Sequence, residues 1–364
     1  MVVYSLGHEA INMRVFISAL IIFLIPFQAF GSNLPTQEEM WGIIQGQAKE
    51  IELLKVKLGG RPTKKPSWAD KIKLSGKIEL EAGQSETYDG VQSSDLTVGK
   101  VELDIDAMVN NFTTANVEFQ YDDGGTVTVD KATVLFSNKS TPWFVSIGKD
   151  TLPFGEFESN FGTSILTKKL GKSSESSLVL GYSDGAFAKV YIFNGDSDPD
   201  GDKVDQFGGQ IGYSGKHKRG KVLIAAGLIN SLEDSNTIQT KVTDPDKHIP
   251  GFETHLTATL GDFVVIGEYV TALNEFSTFQ MTYNGNPSTP SAWTTEVGYN
   301  HILFDYKILT SIGYQGTRDS LGLGLPEKRI ILGSSIKILD EVKLTTEWGR
   351  DYDYSLADTA SVNA

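Results

Sequence analysis

The chain has 364 residues, of which 32 are Lys or Arg and 46 are Asp or Glu, so its formal net charge at pH 7 is −14. This acidic balance excludes a protein that binds nucleic acid through a basic surface. The chain contains no cysteine, which excludes disulfide scaffolds, thiolate metal sites and cysteine nucleophiles. Hydrophobic residues make up 40% and glycine accounts for 37 residues, which fits an ordered protein with many turns.

The N-terminal segment carries one long apolar run, residues 15–27, directly behind Arg14. The run is followed by Ala29-Phe30-Gly31, a small-x-small pattern that is typical of signal-peptide cleavage. A membrane anchor is the alternative, but the run is shorter than the about 20 apolar residues that span a bilayer. We predict a signal peptide over residues 1–31 and export of the mature protein.

Residues 32–70 contain a heptad pattern, in which residues at alternating spacings of three and four form one seam. The seam consists of Gln37, Met40, Ile44, Gln47, Ile51, Leu54 and Leu58. An isolated helix pair of this length is marginal in water, so the pattern predicts a short coiled coil that helps a larger oligomer, for which we expect a homotrimer. An amphipathic helix that packs on its own domain is the alternative.

From residue 72 the apolar period changes from seven to two, and it stays at two almost to the end of the chain. Ile72, Leu74 and Ile78, for example, alternate with Lys73 and Lys77. Fifteen such runs predict strands, at residues 72–82, 95–108, 114–121, 126–137, 143–149, 177–183, 185–193, 206–214, 221–230, 252–260, 262–271, 291–299, 303–314, 328–338 and 341–350.

Short and long connections alternate between these strands, with 122–125 as the one short segment where a long one is due. The long connections are 83–94, 150–176, 194–205, 231–250, 272–290, 315–327 and the segment from 351 onward. Bacterial outer-membrane barrels have short periplasmic turns and long outer loops, whereas a soluble β-sandwich has no reason to separate them. The pattern predicts an all-β fold, a transmembrane antiparallel barrel over residues 71–364 that lies in the bacterial outer membrane and contacts its lipid.

A barrel whose chain starts and finishes in the periplasm needs an even number of strands. Residues 352–364 are polar and lack a closing strand with an aromatic end. We therefore predict about 16 strands, of which the last lies beyond residue 364; a further strand within 272–290 is the alternative. Aromatic residues at strand ends, among them Tyr121, Trp143 and Trp348, fit the girdles of a membrane barrel.

The long connection 150–176 carries the candidate residues of a pore constriction. A barrel of sixteen strands holds water, so a loop that folds inward is one way to make it selective. Its lysines would then face an anionic solute, with carboxylates opposite. The candidates are Lys149, Asp150, Glu156, Glu158, Lys168, Lys169 and Lys172. A loop that stands outside the barrel with solvated charges is the alternative.

An acidic segment offers the only metal site that the sequence suggests. Asp196, Asp198, Asp200 and Asp202 alternate as the carboxylates of a calcium loop do. Phe207 stands where the closing Glu belongs, so a solvated acidic loop competes with a Ca²⁺ site, and no other cofactor is expected. The five histidines lack metal-ligand spacing and no nucleophile motif accompanies His255, so we expect no enzyme.

The layout resembles the siderophore porins of the LbtU family from intracellular Gram-negative bacteria. The resemblance lies in the heptad helix and in the segments Lys73-Leu74-Ser75-Gly76-Lys77-Ile78-Glu79-Leu80 and Gly148-Lys149-Asp150-Thr151-Leu152-Pro153-Phe154-Gly155. It implies an outer-membrane channel that takes up a ferric siderophore without an energy-coupling plug. About forty residues separate the predicted cleavage site from the first strand, too few for the globular plug of 22-strand transporters.

Three other functions remain open at the level of the sequence. The barrel would also fit a general or anion-selective diffusion porin for small solutes such as phosphate or carboxylates. A closed-barrel adhesin or structural protein would use the long loops 231–250 and 272–290 to touch a host surface. A soluble periplasmic β-protein is the last alternative.

Overall fold

The computed structural model describes residues 2–6, 69–87, 90–122, 125–197, 203–218, 220–242 and 247–355. The chain divides into two compact units, Met1–Gly7 with Lys73–Ala364, and His8–Ile72. The predicted seam with Met40, Ile44, Ile51, Leu54 and Leu58 lies outside the described residues, so the coiled coil stays a prediction. No helix within the described ranges is long and apolar enough to cross a membrane.

The first unit is a closed antiparallel barrel of sixteen strands. Its strands are β1 (Val2–Leu6), β2 (Ile72–Glu86), β3 (Gln92–Asn110), β4 (Thr113–Asp122), β5 (Thr128–Ser137), β6 (Trp143–Thr151), β7 (Ser174–Asp184), β8 (Ala186–Asn194), β9 (Gln206–His217), β10 (Gly220–Ile229), β11 (Gly251–Leu260), β12 (Phe263–Ala272), β15 (Ser291–Leu303), β16 (Tyr306–Arg318), β17 (Lys328–Leu339) and β18 (Val342–Tyr352). A separate hairpin, β13 (Thr282–Tyr283) with β14 (Asn286–Pro287), a helix α1 (Leu166–Gly171) and two 3₁₀ turns (Ala69–Lys71 and Leu321–Leu323) complete the described elements.

The fifteen predicted strands are confirmed, because β2 to β12 and β15 to β18 fall on the fifteen period-two runs. Each pairs with its neighbour in the chain, except that β12 pairs directly with β15. Apolar and polar residues alternate because each strand turns one face outward and the other toward the lumen. On β16, Ile312 and Tyr314 are exposed on the outer face, whereas Ser311 and Gln315 are buried on the inner face. A large apolar outer surface of this kind suits a lipid environment.

The two ends of the barrel differ as the sequence predicts. One end carries tight turns, such as Gly185 between β7 and β8 and Asp340–Glu341 between β17 and β18. The other end carries the long connections, including 152–173, 230–250, 273–290 and 319–327. This alternation is why one end of the lumen is crowded by loops while the other is not.

The sixteenth strand differs from the prediction. We expected it beyond residue 364, but Val2–Leu6 takes the position between β2 and β18, with Val2 opposite Leu80 and Leu344 and with Tyr4 opposite Ile78 and Val342. The alternative strand within 272–290 is wrong as well, because β13 and β14 pair only with each other. The signal peptide stays a prediction; its cleavage after Gly31 would remove β1 from the mature chain.

Candidate pore constriction

The connection between β6 and β7, residues 152–173, is called the crossing loop. It leaves the wall at Thr151 of β6, and its helix α1 contacts β12, β15 and β16. In the ring of sixteen strands β16 stands eight places from β6, which is the opposite side of the barrel. Since the contacted side chains lie on the inner face, the crossing loop lies inside the barrel.

Glu268 on β12 anchors the first part of the crossing loop. Its Oε1 accepts hydrogen bonds from the backbone N–H groups of Glu156 (3.0 Å) and Phe157 (3.1 Å), and its Oε2 accepts one from the Thr167 hydroxyl (2.6 Å). Phe157 has a φ of 54° and Gly155 has a φ of 86°, both in the left-handed region. This bend turns two successive N–H groups toward one carboxylate.

Glu296 on β15 holds the next part. It accepts hydrogen bonds of 2.7 Å from the Ser159 hydroxyl and 2.7 Å from the backbone N–H of Asn160. Glu296 has no exposed surface, so its charge is matched by these donors rather than by water. Hydrogen bonds to ionised groups are stronger than neutral ones, which makes this contact an effective tether.

The far end of the crossing loop reaches β17 and β18. Glu347 accepts hydrogen bonds from the backbone N–H groups of Gly162 and Thr163, the latter at 3.1 Å. Arg329 donates a 3.2 Å hydrogen bond to the carbonyl oxygen of Ser164. The loop thus runs along the wall from β12 to β18, and the chain returns through α1 toward β16, β15 and β12.

A row of polar side chains on the inner wall, here called the polar shelf, lies under α1. Its members occupy directly paired positions on six neighbouring strands, namely His255, Glu268, Thr294, Gln315, Arg329 and Asp351. The backbone N–H of Leu166 donates to Gln315 at 3.1 Å, and the Thr167 hydroxyl contacts both Glu268 and Thr294. The shelf therefore satisfies loop groups that the barrel interior would otherwise leave unpaired.

Phe161 lies on two glycines of the wall. A Cβ atom added to Gly313 would stand 2.8 Å from a ring carbon of Phe161, and one added to Gly333 would stand 2.9 Å from it. Side chains at these positions would displace the ring. The glycines of β16 and β17 are thus required by the close approach of the crossing loop.

The long loops share one apolar cluster, here called the mouth core. Its buried members are Leu152, Phe154, Leu166, Leu170, Val179, Tyr191, Phe193, Ile229, Leu232, Ile238, Val242, Ile249, Val270, Ala272, Phe276, Met281, Ala292, Leu323 and Leu325. They come from the crossing loop, from the loops 230–250, 273–290 and 319–327, and from strands β7 to β15. The mouth core fills that side of the lumen, and the wall of β2 to β5 takes no part in it.

The wall of β2 to β5 carries charges instead of apolar residues. Its lysines pair with carboxylates as Lys77 with Glu79, Lys100 with Glu102, and Lys131 with Glu118, the last at 3.0 Å. Asp104 stands opposite Glu118 in the ladder, and Asn116 donates to Asp106 at 2.9 Å. This inner face is polar and charged across four neighbouring strands.

Lys168 of α1 faces this charged wall. The charges of Lys100, Lys77 and Glu79 all act on it, although these residues belong to β2 and β3. Burial, together with the positive charges of Lys172, Lys100 and Lys77, lowers the pKa of Lys168. Among the residues that the structure describes, no carboxylate lies within ion-pair distance of Lys168.

The other predicted constriction residues do not all join Lys168. Lys149 pairs with Ala132 and Ser176 and lies two positions from the exposed Ile147, so its side chain belongs to the outer face. The prediction that Lys149 lies in the lumen is therefore wrong, because successive residues of a strand point to opposite faces and Asp150 is the one that points inward.

Asp150 is paired with the buried Glu175, which places it on the inner face. The charge of Glu156 acts on Lys189 of β8 and on His255 of β11, so this carboxylate faces the side opposite to Lys168. Glu158 and Lys169 are exposed, and Lys172 accepts a 2.8 Å hydrogen bond from Asn236 through its backbone oxygen. The loop charges are therefore divided between two sides of the lumen.

The predicted calcium ligands are only partly visible. Asp196 is exposed, whereas Asp198, Asp200 and Asp202 lie outside the described residues. Within the described ranges no group of three or more His, Asp or Glu side chains is arranged to hold a metal ion. The calcium site stays an untested prediction.

A clamp of polar groups joins two neighbouring loops outside the strands. His248 contacts Glu233 through Nδ1 at 2.8 Å and Asp205 through Nε2 at 3.5 Å. Burial disfavours its charged form, but the hydrogen bond and charge of Glu233, with the charges of Asp205 and Asp234, outweigh it and raise the pKa of His248. Burial also raises the pKa of Glu233 and of Asp234. His248, Glu233 and Asp205 thus fix the loop 230–250 against the segment before β9.

Sequence reasoning missed the residues that hold the crossing loop. Glu268, Glu296 and Glu347 each occupy an inward position on a strand, where a polar residue is expected in any water-filled barrel. A signal was present in the glycines at 313 and 333, because glycine in a strand interior often marks a close approach of another chain segment. Their partner Phe161 has no sequence signal of its own.

Comparison with family models finds none that matches the chain. The chain is 26% identical over 304 residues to a UPF0422 protein of Coxiella burnetii (strain RSA 493 / Nine Mile phase I), covering 78% of this chain and 65% of that protein. It is 24% identical over 323 residues to a UPF0422 protein of Legionella pneumophila (strain Philadelphia 1), covering 80% of this chain and 61% of that protein. The chain spans less than two thirds of the length of these curated relatives.

Solved structures share the architecture at low identity. OmpF of Salmonella typhi, in complex with daunomycin, matches with a TM-score of 0.57 and 12% identity over 81% of this chain and 94% of that one. An anion-selective porin from Comamonas acidovorans matches with a TM-score of 0.52 and 10% identity over 78% of this chain and 90% of that one. The chain thus has the fold of the bacterial outer-membrane porins.

Proposed function

We propose that the protein is a passive channel of the bacterial outer membrane, through which small polar solutes pass between the crossing loop and the wall of β2 to β5. The observation that carries the proposal is the path of the crossing loop, which is tied by Glu268, Glu296 and Glu347 to strands across the lumen. With the mouth core on one side, the charged wall on the other is the part of the inner face left to line a water-filled path.

The two sides of this path carry different charges: the wall holds Asp104 and Asp106 in addition to its lysine–glutamate pairs, whereas the crossing loop presents a lysine. Each of the wall lysines Lys77, Lys100 and Lys131 has a carboxylate beside it, so its charge is compensated locally. Lys168 adds a positive charge from the loop side without such a partner among the described side chains. A constriction of low dielectric focuses the field of an uncompensated charge, and Lys168 is therefore the selectivity residue of the proposal.

A ferric siderophore is the specific substrate that we propose. This choice rests on the resemblance of the sequence to siderophore porins. It also fits the barrel, because the described residues contain no plug domain. The second candidate is a general or anion-selective diffusion porin, which the shared porin fold supports equally well. Both candidates use the same path and differ in whether a bulky chelate binds in it.

Reversal potentials in planar bilayers under a KCl gradient test the path. Lys168→Gln should shift the potential toward cation selectivity, because it removes a loop charge that interacts with the charged groups of β2 and β3. Lys169→Gln is the matched control: it removes the same charge from the adjacent, exposed residue of α1 and should leave the potential unchanged. Equal effects of both variants, or none, would contradict a path along Lys168.

Adding a ferric hydroxamate siderophore to one side of the same bilayer tests the substrate. Saturable block of the conductance steps at micromolar concentration supports a siderophore channel. Steps that ignore the chelate favour the diffusion porin. An absence of steps in protein that is folded and inserted would contradict both channel proposals and favour the closed-barrel adhesin.

The oligomer is a further part of the proposal. The heptad seam supports self-association, although Ile at a with Leu at d often favours dimers in isolated coils. Barrels of porin-like girth commonly associate by threes, so we propose a homotrimer in which the short coiled coil adds to contacts between barrels. Ile51→Asn together with Leu54→Asn should loosen the assembly in light scattering of the detergent-solubilised protein. A trimer of unchanged stability would mean that the barrels associate without the seam.

A further inference from the structure

An apolar groove of about 270 Å³ indents the outer wall of the barrel at its short-turn end. Its lining includes Phe112, Phe136, Asn138, Trp143, Val145 and Leu180. Phe136, Val145 and Leu180 form one register row across β5, β6 and β7. The smaller Val145 is therefore the floor, and the larger neighbours on either side form the walls.

The groove keeps its shape through the turns around it. The backbone N–H of Ser137 donates to the carbonyl oxygen of Phe112 at 2.9 Å, which fixes the β3–β4 turn beside β5. Trp143 packs edge-on against Tyr182, with ring centroids 5.2 Å apart. Both contacts lie at the rim of the groove, where the rings of Phe112 and Trp143 stand.

The position of the groove decides what can fill it. It opens on the outer face, which an outer-membrane barrel turns toward lipid, and it reaches Asn138 in a turn at the short-turn end, the end that faces the periplasm in such barrels. Binding sites for drug-sized molecules have volumes of about 300 Å³ or more. The groove is smaller than this, so it suits a single segment of a hydrocarbon chain. An acyl chain of the periplasmic leaflet has the polarity and the position that the groove requires.

A charge stands where the headgroup of such a lipid would lie. Lys139 occupies the turn directly after Asn138, and within the described part of the chain no carboxylate lies within ion-pair distance of it. The Asn138 side chain accepts the N–H of Ser140 at 2.9 Å, and its backbone oxygen accepts the N–H of Thr141 at 3.0 Å, so the turn is fixed. A phosphate at this level would gain about 1 kcal/mol from one lysine.

We propose that this groove binds one phospholipid of the periplasmic leaflet, with an acyl chain over Val145 and the phosphate at Lys139. The proposal rests on the outer-membrane location given above but not on channel activity. The lysine supplies charge complementarity that a second copy of the barrel, meeting the same turn with its own Lys139, would lack.

Native mass spectrometry of the full chain, after exchange into a mild detergent with added phosphatidylglycerol, counts the retained lipid. We expect one lipid on each wild-type barrel. Val145→Phe fills the floor and should remove it, and Lys139→Gln should weaken retention about fivefold, the equivalent of one lost lysine contact. Val297→Phe, on the outer face of β15, and Lys218→Gln, in another turn of the same end, are the matched controls and should retain it.

Phosphatidylglycerol with brominated acyl chains gives a second readout, because bromine quenches nearby tryptophan. The quenching that is lost in Trp143→Phe measures the share that comes from Trp143. The same share should be lost in Val145→Phe. Equal lipid retention by wild type and Val145→Phe would overturn the proposal. A change of oligomer mass in Val145→Phe with no lipid on either form would also overturn it, and would assign the groove to a contact between barrels.

Discussion

The backbone N–H of Asn160 donates a 2.7 Å hydrogen bond to Glu296, although β15 stands seven places from β6 in the ring of sixteen strands. A glutamate on the inner wall of a channel is normally read as part of its ion path. Here it is fully buried and its oxygens are occupied by the crossing loop. Its charge serves to position the loop, and the charges that meet solutes lie elsewhere.

Replacing Glu296 by Ala should therefore free part of the crossing loop. Two donors, the Asn160 N–H and the Ser159 hydroxyl, lose an ionised acceptor, at a cost of about 1.5–3 kcal/mol for each hydrogen bond. We expect larger and noisier single-channel conductance, because the loop no longer holds one position. Glu341→Ala, in the β17–β18 turn at the opposite end, is the control. Identical traces for both variants would show that Glu296 does not hold the loop.

Phe161 and Gly333 should behave as one unit. Phe161→Ala removes the ring that lies on the wall, and Gly333→Val fills the space that the ring occupies, so each should raise the conductance through a displaced loop. The double variant should be little worse than either single one, because both remove the same contact. Gly349→Ala is the control on β18, where an added Cβ meets nothing closer than 3.9 Å. Additive effects of the two changes would contradict the contact.

The barrel could be predicted because its signal is repeated in every strand. The fifteen runs of period two follow from which face of each strand meets lipid, and the separation of short from long connections follows from the end of the barrel at which each connection lies. The inward position of the loop was one of two interpretations, and Lys168 was one of seven candidates. Nothing in the sequence says that Lys168 faces β2 while Glu156 faces β8, since this division depends on how the chain bends at Gly155 and Phe157.

The features that were missed depend on contacts between distant segments. Glu296 and Asn160 are far apart in the chain, and each residue alone looks like an ordinary polar position. The pairing of Val2–Leu6 with β2 and β18 has the same character, because five residues are too few for a period-two signal to stand out. Lys149 was misplaced for a simpler reason: it is the last residue of the predicted strand 143–149, so the alternation that turns Ile147 outward applies to it as well.

The clamp at His248 should make the loop 230–250 sensitive to pH. The folded protein holds the His248 proton more tightly than the unfolded chain, in which the pKa of a histidine is about 6.5. The clamp therefore contributes its full stability below that pH and loses it as the pH rises through the raised folded value. Glu233 and Asp234 act in the same direction, because their raised pKa values also favour the protonated folded state.

A spin label tests the clamp without disturbing other sites, since the chain has no cysteine of its own. On Lys241→Cys, an exposed position of the loop, the label should become more mobile as the pH rises above about 6.5 and through the raised pKa of His248. His248→Gln in the same labelled protein should give high mobility throughout and little pH dependence. A pH response that survives His248→Gln would assign the effect to other groups.

If Val2–Leu6 closes the barrel, residues 1–31 are not removed as a signal peptide, and the two possibilities give different results for variants at Tyr4. Proline at position 4 removes a ladder N–H and is poorly tolerated inside a sheet, so Tyr4→Pro should lower the temperature at which the folded barrel unfolds on a heat-modifiability gel. Tyr4→Ala keeps the N–H and should have a smaller effect. If the chain is cleaved after Gly31, neither variant changes the mature barrel, both unfold with the wild type, and the position between β2 and β18 belongs to a strand other than β1.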